Sequence, residues 1–214
     1  MPKTPEGLIA EPDEKHRCWW HGKEEDYIHY HDTEWGYPID DDRHLFEKIC
    51  LEGFQAGLSW LTILRKRENF RDAFDNFDYQ KISKYNEKKI EKLLQDTSII
   101  RHRGKIEATI NNANRAIEMI EEYGSLSAYF WQYEPDPKTR PKKYDYKSLT
   151  AFTVTDESIA MSKDLKKRGW KFVGPTTCYA FMQSMGIVND HLEGCITRDP
   201  CLKARKKFKK PTQI

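Results

Sequence analysis

Apolar residues recur at helical spacing along most of this chain, and this periodicity limits the fold more than any other feature of the sequence. Clear stripes run through residues 45–50, 90–94 and 106–120, each with the spacing of an amphipathic helix. Alternating patterns typical of strands are scarce. The sequence therefore predicts an all-α fold of about eight to ten short helices in a single compact domain, which suits a chain of 214 residues.

Helix boundaries are marked most clearly between residues 155 and 185. Thr155 or Asp156 can cap the start of one helix, and the basic residues 166–168 before Gly169 suit its end. Pro175 suits the first turn of the next helix. Residues 134–147, rich in proline and charge, are predicted to form the one long loop.

The basic residues are concentrated at the C-terminus. The net charge is +2, but residues 200–214 hold six basic residues and no acidic one, so residues 1–199 carry a net charge of −4. Overall charge therefore gives no argument for nucleic-acid binding. The basic tail is either a solvated terminus or a nonspecific phosphate contact. We expect a flexible extension at 1–15, a folded domain at 16–199 and this tail at 200–214.

The composition also excludes several classes of protein. Six Trp, 11 Tyr and 10 Phe are too many aromatic residues for a disordered chain. No apolar run approaches the ~20 residues of a membrane span, and the first 17 residues lack the apolar run of a signal peptide. A cytoplasmic location is expected, without a membrane partner. The five cysteines are an odd number, which favours reduced thiols or metal ligands over disulfides.

Two cysteine and histidine pairs form a candidate metal site. Cys18 and His31 lie near the start of the predicted domain, whereas His191 and Cys195 lie near its end, four residues apart, as one helical turn would place them. Two sulfurs and two imidazoles suit tetrahedral zinc, which would tie the two ends of the domain together. A buried thiol beside a surface histidine explains the same spacing, so the pattern alone leaves both readings open.

Aromatic residues surround a single acid in the first half of the chain. Glu52 follows an apolar run and precedes Gly53, and seven Trp and Tyr residues of the first part of the fold surround it in sequence: Trp19, Trp20, Tyr27, Tyr30, Trp35, Tyr37 and Trp60. Ordinary core packing is one explanation. The other is a pocket for a flat, cationic ring, because aromatic faces stack on it and attract its charge. Because Gln retains the size of Glu and one acceptor oxygen but loses its charge, the exchange Glu52→Gln is expected to change stability little.

Several multi-residue motifs resemble one known family. They are Arg17-Cys18, residues 30–36 (YHDTEWG), residues 50–53 (CLEG), residues 55–60 (QAGLSW), residues 99–106 (IIRHRGKI), residues 171–174 (KFVG), and residues 188–191 (VNDH) followed by Cys195. In this order, over about residues 16–197, the chain closely resembles DNA-3-methyladenine glycosylase I. The resemblance implies an all-α fold of the helix-hairpin-helix DNA glycosylase type.

The resemblance also assigns residues to roles. It implies one structural zinc held by Cys18, His31, His191 and Cys195, and a catalytic Glu52. The base pocket would comprise Trp20, Tyr27, Tyr30, Trp35 and Trp60. Contacts to DNA would come from Leu58, as a wedge in the gap left by the extruded nucleotide, and from Arg101, Arg103, Gly104 and Lys105 in a helix-hairpin-helix element.

The implied reaction is hydrolysis of the bond between an alkylated adenine and deoxyribose in double-stranded DNA, after the nucleotide is flipped out of the duplex. Free 3-methyladenine and an abasic site would be the products, and the chain is expected to act as a monomer. A zinc-stabilised module that binds damaged DNA without cleaving it is the alternative. Phe54 departs from the family pattern, which usually has a polar residue there, and we expect it to alter the floor of the pocket.

Overall fold

In a computed structural model, residues 4–212 are described, and within them helices make up most of the structure. The helices are α1 Glu25–Thr33, α2 Asp42–Gln55, α3 Trp60–Ala73, α4 Tyr79–Ile82, α5 Glu87–Gln95, α6 Arg103–Tyr123, α7 Leu126–Phe130, α8 Tyr146–Thr150, α9 Asp156–Lys167, α10 Pro175–Ser184 and α11 Arg198–Lys207. Four short 3₁₀ helices lie at Trp19–His21, Asp75–Phe77, Trp131–Tyr133 and Pro137–Thr139. The predicted helical class is confirmed, with more short helices than expected.

The predicted helix boundaries in the second half of the chain are also found. Thr155 and Ser158 form a reciprocal capping box at the start of α9, and Pro175 occupies the first turn of α10. Lys166 and Lys167 stand in the last turn of α9, where they complement the helix dipole.

One part of the all-helical prediction is wrong. Strand β1 (Leu8–Ala10) pairs antiparallel with β2 (His16–Cys18), with Leu8 opposite Cys18. The strands are three residues long, too short for an alternating pattern to be recognised in the sequence. The predicted extension at 1–15 thus includes a strand of the folded unit in its described part, and β2 leads directly into Cys18.

The predicted boundary between residues 199 and 200 is wrong as well. It falls inside α11, which runs from Arg198 to Lys207. Beyond this helix, the ring of Phe208 packs on Trp131 with ring centroids 4.5 Å apart, and Lys210 forms an ion pair with Glu134 at 3.2 Å. Much of the basic segment is therefore attached to the domain.

Helix α2 is the centre of the core. Its residues 45–54 are all buried, because α3, α6, α7 and α10 pack around it. A helix that is buried on all sides is expected to be apolar all round, yet this stretch includes Glu47, Lys48 and Glu52. Buried charges require partners, and those partners define the site described below. Among residues 4–212, none of the helices has the length and hydrophobicity of a membrane span.

Candidate functional site

Two cysteines and two histidines converge between the N-terminal strand pair and the last turns of the chain. Cys18 ends β2, His31 lies in α1, and His191 and Cys195 lie in the segment before α11. All four are buried, and their possible ligand atoms lie within 4.8 Å of one another. The structure therefore brings together the four residues that the sequence analysis selected.

The spacing of these atoms matches tetrahedral zinc coordination. The Sγ atom of Cys195 lies 3.4 Å from Nε2 of His31 and 3.5 Å from Nδ1 of His191, while Sγ of Cys18 lies 3.7 Å from Nδ1 of His191. Zinc bonds of about 2.3 Å to sulfur and 2.0–2.1 Å to nitrogen at tetrahedral angles separate the two ligand types by about 3.5 Å. In ligand type and in these three separations, the residues present thus fit a zinc ion.

Hydrogen bonds already select the histidine atoms that face the cluster. Nδ1 of His31 lies 2.7 Å from Asp32, which is also paired with Arg17, so Nε2 of His31 is left for a metal. Nε2 of His191 lies 2.9 Å from the carbonyl oxygen of Trp35, so its Nδ1 is left in the same way. Both tautomers are fixed by outer partners, as in other histidine-ligated metal sites.

The two cysteine side chains of the cluster share a proton. The hydrogen bond between them lowers the pKa of Cys195 and raises that of Cys18. The expectation that His191 and Cys195 lie on one helical turn is wrong, because residues 191–195 form a tight turn outside any helix. Gly194 adopts a φ of +88° there, a conformation that favours glycine.

A cavity of about 280 Å³ opens beside this cluster. The catalytic candidate Glu52 lines it, as do all five residues assigned to the base pocket: Trp20, Tyr27, Tyr30, Trp35 and Trp60. The other lining residues, to which the resemblance assigned no place in the pocket, are Trp19, Gln55, Leu149, Thr150, Phe152, Ala180, Gln183 and Asp190. Aromatic walls with a few polar groups are typical of sites that bind flat organic molecules.

The aromatic side chains support one another as tilted or edge-on pairs. The ring of Trp20 lies 4.9 Å from Trp35 and 5.2 Å from Tyr27, and Tyr30 lies 5.5 Å from Trp60. Trp20 also contacts the imidazole of His31 at 5.0 Å. The wall of the cavity is therefore built directly on the cluster of cysteines and histidines. Burial and the nearby Glu52 charge raise the pKa of Tyr27 to about 12, so this hydroxyl stays protonated at neutral pH.

Glu52 is held by a partner that the sequence analysis missed. Oε1 of Glu52 lies 2.8 Å from Nζ of Lys48, one helical turn earlier on α2, and both side chains are only 5% exposed. Lys48 also donates to the Tyr30 hydroxyl at 2.9 Å and sits 3.1 Å from the centroid of the Trp60 ring. Burial lowers the pKa of Lys48 to about 8 although Glu52 opposes this change. The spacing of Lys48 four residues before Glu52 was the available signal.

Asp190 is a second buried acid at the cavity. Its carboxylate accepts hydrogen bonds from the Tyr179 hydroxyl at 2.6 Å and the Gln183 side-chain amide at 2.9 Å, and it is paired with Arg140. Because the Gln183 amide nitrogen is used in this way, its carbonyl oxygen remains as an acceptor beside the cavity. The motif at 188–191 contained Asp190, but only its histidine was assigned a role.

The residues predicted to contact DNA lie in the turn between α2 and α3 and around the start of α6. Leu58 is 42% exposed in the turn between α2 and α3, as a wedge residue requires. Arg101 is exposed in the turn between α5 and α6, and Gly104 lies in the first turn of α6. Arg103 is less available than expected, since its guanidinium is paired with Glu87, Glu91 and Glu107.

The prediction that Lys105 presents its charge to phosphate is wrong. Its ammonium group donates to the carbonyl oxygens of Phe54 at 2.8 Å and Ala56 at 2.7 Å, and the residue is buried. These carbonyls belong to the C-terminal end of α2, where they have no partner within the helix. Lys105 thereby fixes the turn that carries Leu58.

The expected effect of Phe54 on the pocket floor is also absent. Phe54 is 1% exposed and packs on Phe70 and Phe74, with ring centroids 4.6 and 5.9 Å apart. It does not line the cavity, because residues two apart on a helix point in different directions. This departure from the family pattern belongs to the core between α2 and α3.

Comparisons with known proteins agree with this site. A model of the methyladenine glycosylase family matches residues 20–198. DNA-3-methyladenine glycosylase 1 of Escherichia coli strain K12 is 48% identical over 180 residues, 84% of this chain and 95% of that protein. DNA-3-methyladenine glycosylase of Haemophilus influenzae is 48% identical over 185 residues, 86% of this chain and 97% of that protein.

Similarity extends to a solved structure. The 3-methyladenine DNA glycosylase I of Staphylococcus aureus, solved to explain its recognition of 3-methyladenine, superposes with a TM-score of 0.79. The two chains are 36% identical, and the match covers 85% of this chain and 96% of the other.

Proposed function

The chain belongs to the methyladenine glycosylase family and is a DNA-3-methyladenine glycosylase, and we propose that it flips 3-methyladenine out of alkylated double-stranded DNA and excises it by hydrolysis, leaving an abasic site. The observation that carries this proposal is the cavity in which five aromatic residues enclose the carboxylate of Glu52. A duplex cannot enter such a cavity, so the base must leave the stack to reach it.

The aromatic walls suit the electronic state of the damaged base. An adenine methylated at N3 within DNA carries a formal positive charge on its ring. Its faces stack on Trp and Tyr side chains, and the charge gains a cation–π attraction of about 0.5–2 kcal/mol per good contact. The pocket therefore selects the damaged base over neutral adenine through both stacking and charge.

The chemistry asked of the protein is modest because the cationic base is already a good leaving group. The bond between the base and C1′ breaks with its electron pair going to the base, so positive charge moves to the sugar. Oε1 of Glu52 is occupied by Lys48, which leaves Oε2 to accept a hydrogen bond from the exocyclic amine or to stabilise the sugar cation. Water then adds to C1′ and loses a proton.

Extrusion of the nucleotide leaves a gap in the duplex, and Leu58 is placed to fill it. Its side chain is exposed at the tip of a turn whose base is fixed by Lys105. Apolar wedges of this kind occur in other proteins that bend DNA. Backbone amides at the start of α6, in the proposed helix-hairpin-helix element, and the exposed Arg101 would bind phosphates nearby.

The four-residue cluster would hold one zinc ion as a structural element. The proposal is supported by the interatomic distances, by the fixed histidine tautomers and by a donor set of two sulfurs and two nitrogens. With all four positions occupied by protein atoms, the ion would provide cross-linking of the two chain ends and no open site for chemistry. Its effect on the pocket would come through Trp20 and Trp35, which contact His31 and His191.

Release of free 3-methyladenine from methylated duplex DNA by the purified protein tests the proposed function. The Glu52→Gln variant should bind the same DNA but excise slowly, whereas Glu121→Gln, the same exchange at an exposed position outside the cavity lining, should match the wild type. Tight and damage-specific binding with no base released would instead identify a zinc-stabilised module that recognises damage without cleaving the bond.

A further inference from the structure

The ion pair between Lys48 and Glu52 changes the charge of the base pocket. Both groups are buried, and their charged atoms are 2.8 Å apart, so the field of the carboxylate is largely cancelled by the ammonium group. Lys48 lines a second cavity of about 90 Å³ and is absent from the lining of the first, whereas Tyr30 and Trp60 line both. The ammonium group thus lies behind the aromatic wall that a bound base would contact.

The Lys48 ammonium group, which has three N–H donors, makes three contacts in this position. One binds Glu52, one binds the Tyr30 hydroxyl, and the group stands over the Trp60 ring. A lysine this well satisfied is held in one place. It consequently holds the Glu52 carboxylate in one orientation through Oε1.

The movement of charge during the reaction explains why a paired carboxylate is useful. The methylated base is cationic while it is bound to the sugar, and it is neutral once it has left. An unpaired carboxylate beside the base would stabilise the cationic ground state, and such binding does not accelerate the chemical step. A carboxylate neutralised by Lys48 still accepts a hydrogen bond but does not oppose the loss of charge from the base.

We propose that Lys48 is a positioning residue that orients Glu52 and neutralises its charge, so that the carboxylate does not hold the cationic base in DNA more tightly than the departing neutral base. This inference rests on the proposed function, because it concerns the same pocket. It attributes to Lys48 an effect on charge preference that a purely structural lysine would not have.

Two unreactive ligands measure that preference directly. Free 3-methyladenine is neutral near neutral pH, whereas 3,9-dimethyladeninium carries a permanent positive charge and has a methyl group in place of the sugar. The quenching of Trp fluorescence gives the affinity for each, and the ratio of the two affinities reports the charge of the pocket. Neither ligand can be cleaved, so failure of this test is distinct from failure of the excision assay.

The affinity ratio should differ in a predictable direction among the wild type, the two single variants and the double variant. Lys48→Met leaves an unpaired negative charge and should shift the ratio towards the cation by about tenfold or more, the effect of one buried charge at close range. Glu52→Gln leaves an unpaired positive charge and should shift the ratio the other way. The double variant, which is neutral again, should return close to the wild-type ratio. Single-turnover excision by Lys48→Met should fall about tenfold or more.

Arg71→Met is the matched control. It also deprives a buried carboxylate on α2 of its partner, since Arg71 pairs with Glu47 at 2.7 Å, but neither residue lines the first cavity. Its affinity ratio should equal that of the wild type. If Lys48→Met weakened both ligands equally, or if all forms gave one ratio, the proposal would be overturned. If Lys48→Met did not fold, the difference between Glu52→Gln and the double variant would decide in the same way.

Discussion

Replacing Glu52 by Gln should destabilise the protein, although the two side chains have nearly the same shape. The sequence alone predicted little change, because the amide retains the size of the carboxylate and one acceptor oxygen. In the structure the exchange leaves the Lys48 ammonium group buried without an anion. Breaking a buried ion pair from one side is costly, since the remaining charge has neither water nor its partner.

The size of the loss in unfolding free energy depends on whether Lys48 keeps its proton. Its pKa is lowered from 10.5 to about 8 by burial, while the charge of Glu52 and its hydrogen bond oppose this change. Without Glu52 the pKa falls further, and each unit of that fall corresponds to about 1.4 kcal/mol lost from the folded state that keeps the proton. The upper bound is the cost of leaving one buried charge of an ion pair without its partner, about 3–5 kcal/mol. The free energy of unfolding should therefore fall by about 1–4 kcal/mol.

The dependence on pH gives an independent check. Because the pKa of Lys48 is lower in the folded than in the unfolded state, the unfolded chain binds more protons between the two values, and stability rises with pH there. In the wild type this interval begins at about pH 8. In Glu52→Gln it begins at a lower pH, so the stability of the variant should already rise between about pH 6 and 8, where that of the wild type does not. The difference in unfolding free energy between the two proteins should therefore become smaller over this range.

Urea unfolding followed by Trp fluorescence measures these free energies, and each kcal/mol should lower the melting temperature by about 2–4 °C in a domain of this size. The exposed exchange Glu121→Gln should leave stability unchanged. Equal unfolding free energies for Glu52→Gln and the wild type at pH 7, with no change in their difference across pH, would refute the reasoning.

Three other predictions concern the metal, the wedge and the tail. Elemental analysis should find about one zinc per chain, and chelation should lower the melting temperature by about 10 °C or more; less than about a tenth of an equivalent in gently purified protein would exclude the site. Leu58→Ala should slow excision from duplex DNA without changing the affinity for free 3-methyladenine, and a loss of that affinity would place Leu58 in the pocket. Replacing Lys206, Lys207 and Lys209 by Gln should reduce the salt dependence of binding to undamaged DNA by up to about three phosphate contacts, whereas an unchanged salt slope would mean that the tail is only solvated.

The sequence by itself determined the helical class, several helix ends and the chemistry of the site. Those properties depend on local spacing: an apolar stripe predicts a helix, and Thr155 caps the helix that begins beside it. The spacing of cysteines and histidines offered the four metal-binding candidates, motif resemblance supplied the five aromatic pocket residues and Glu52, and the fold places each set together. Residues 8–10 were missed because their pairing with 16–18 leaves no periodic signal in three positions.

Only the tertiary structure decided which charges are available. Lys105 and Arg103 look alike in sequence as basic residues at a helix start, yet one is buried against the end of α2 and the other is paired with three glutamates. Likewise, Lys48 and Glu52 read as an ordinary surface pair one helical turn apart. They become a buried ion pair behind an aromatic wall because α2 is packed on all sides, and the energy of a charge depends on its surroundings as much as on its sequence neighbours.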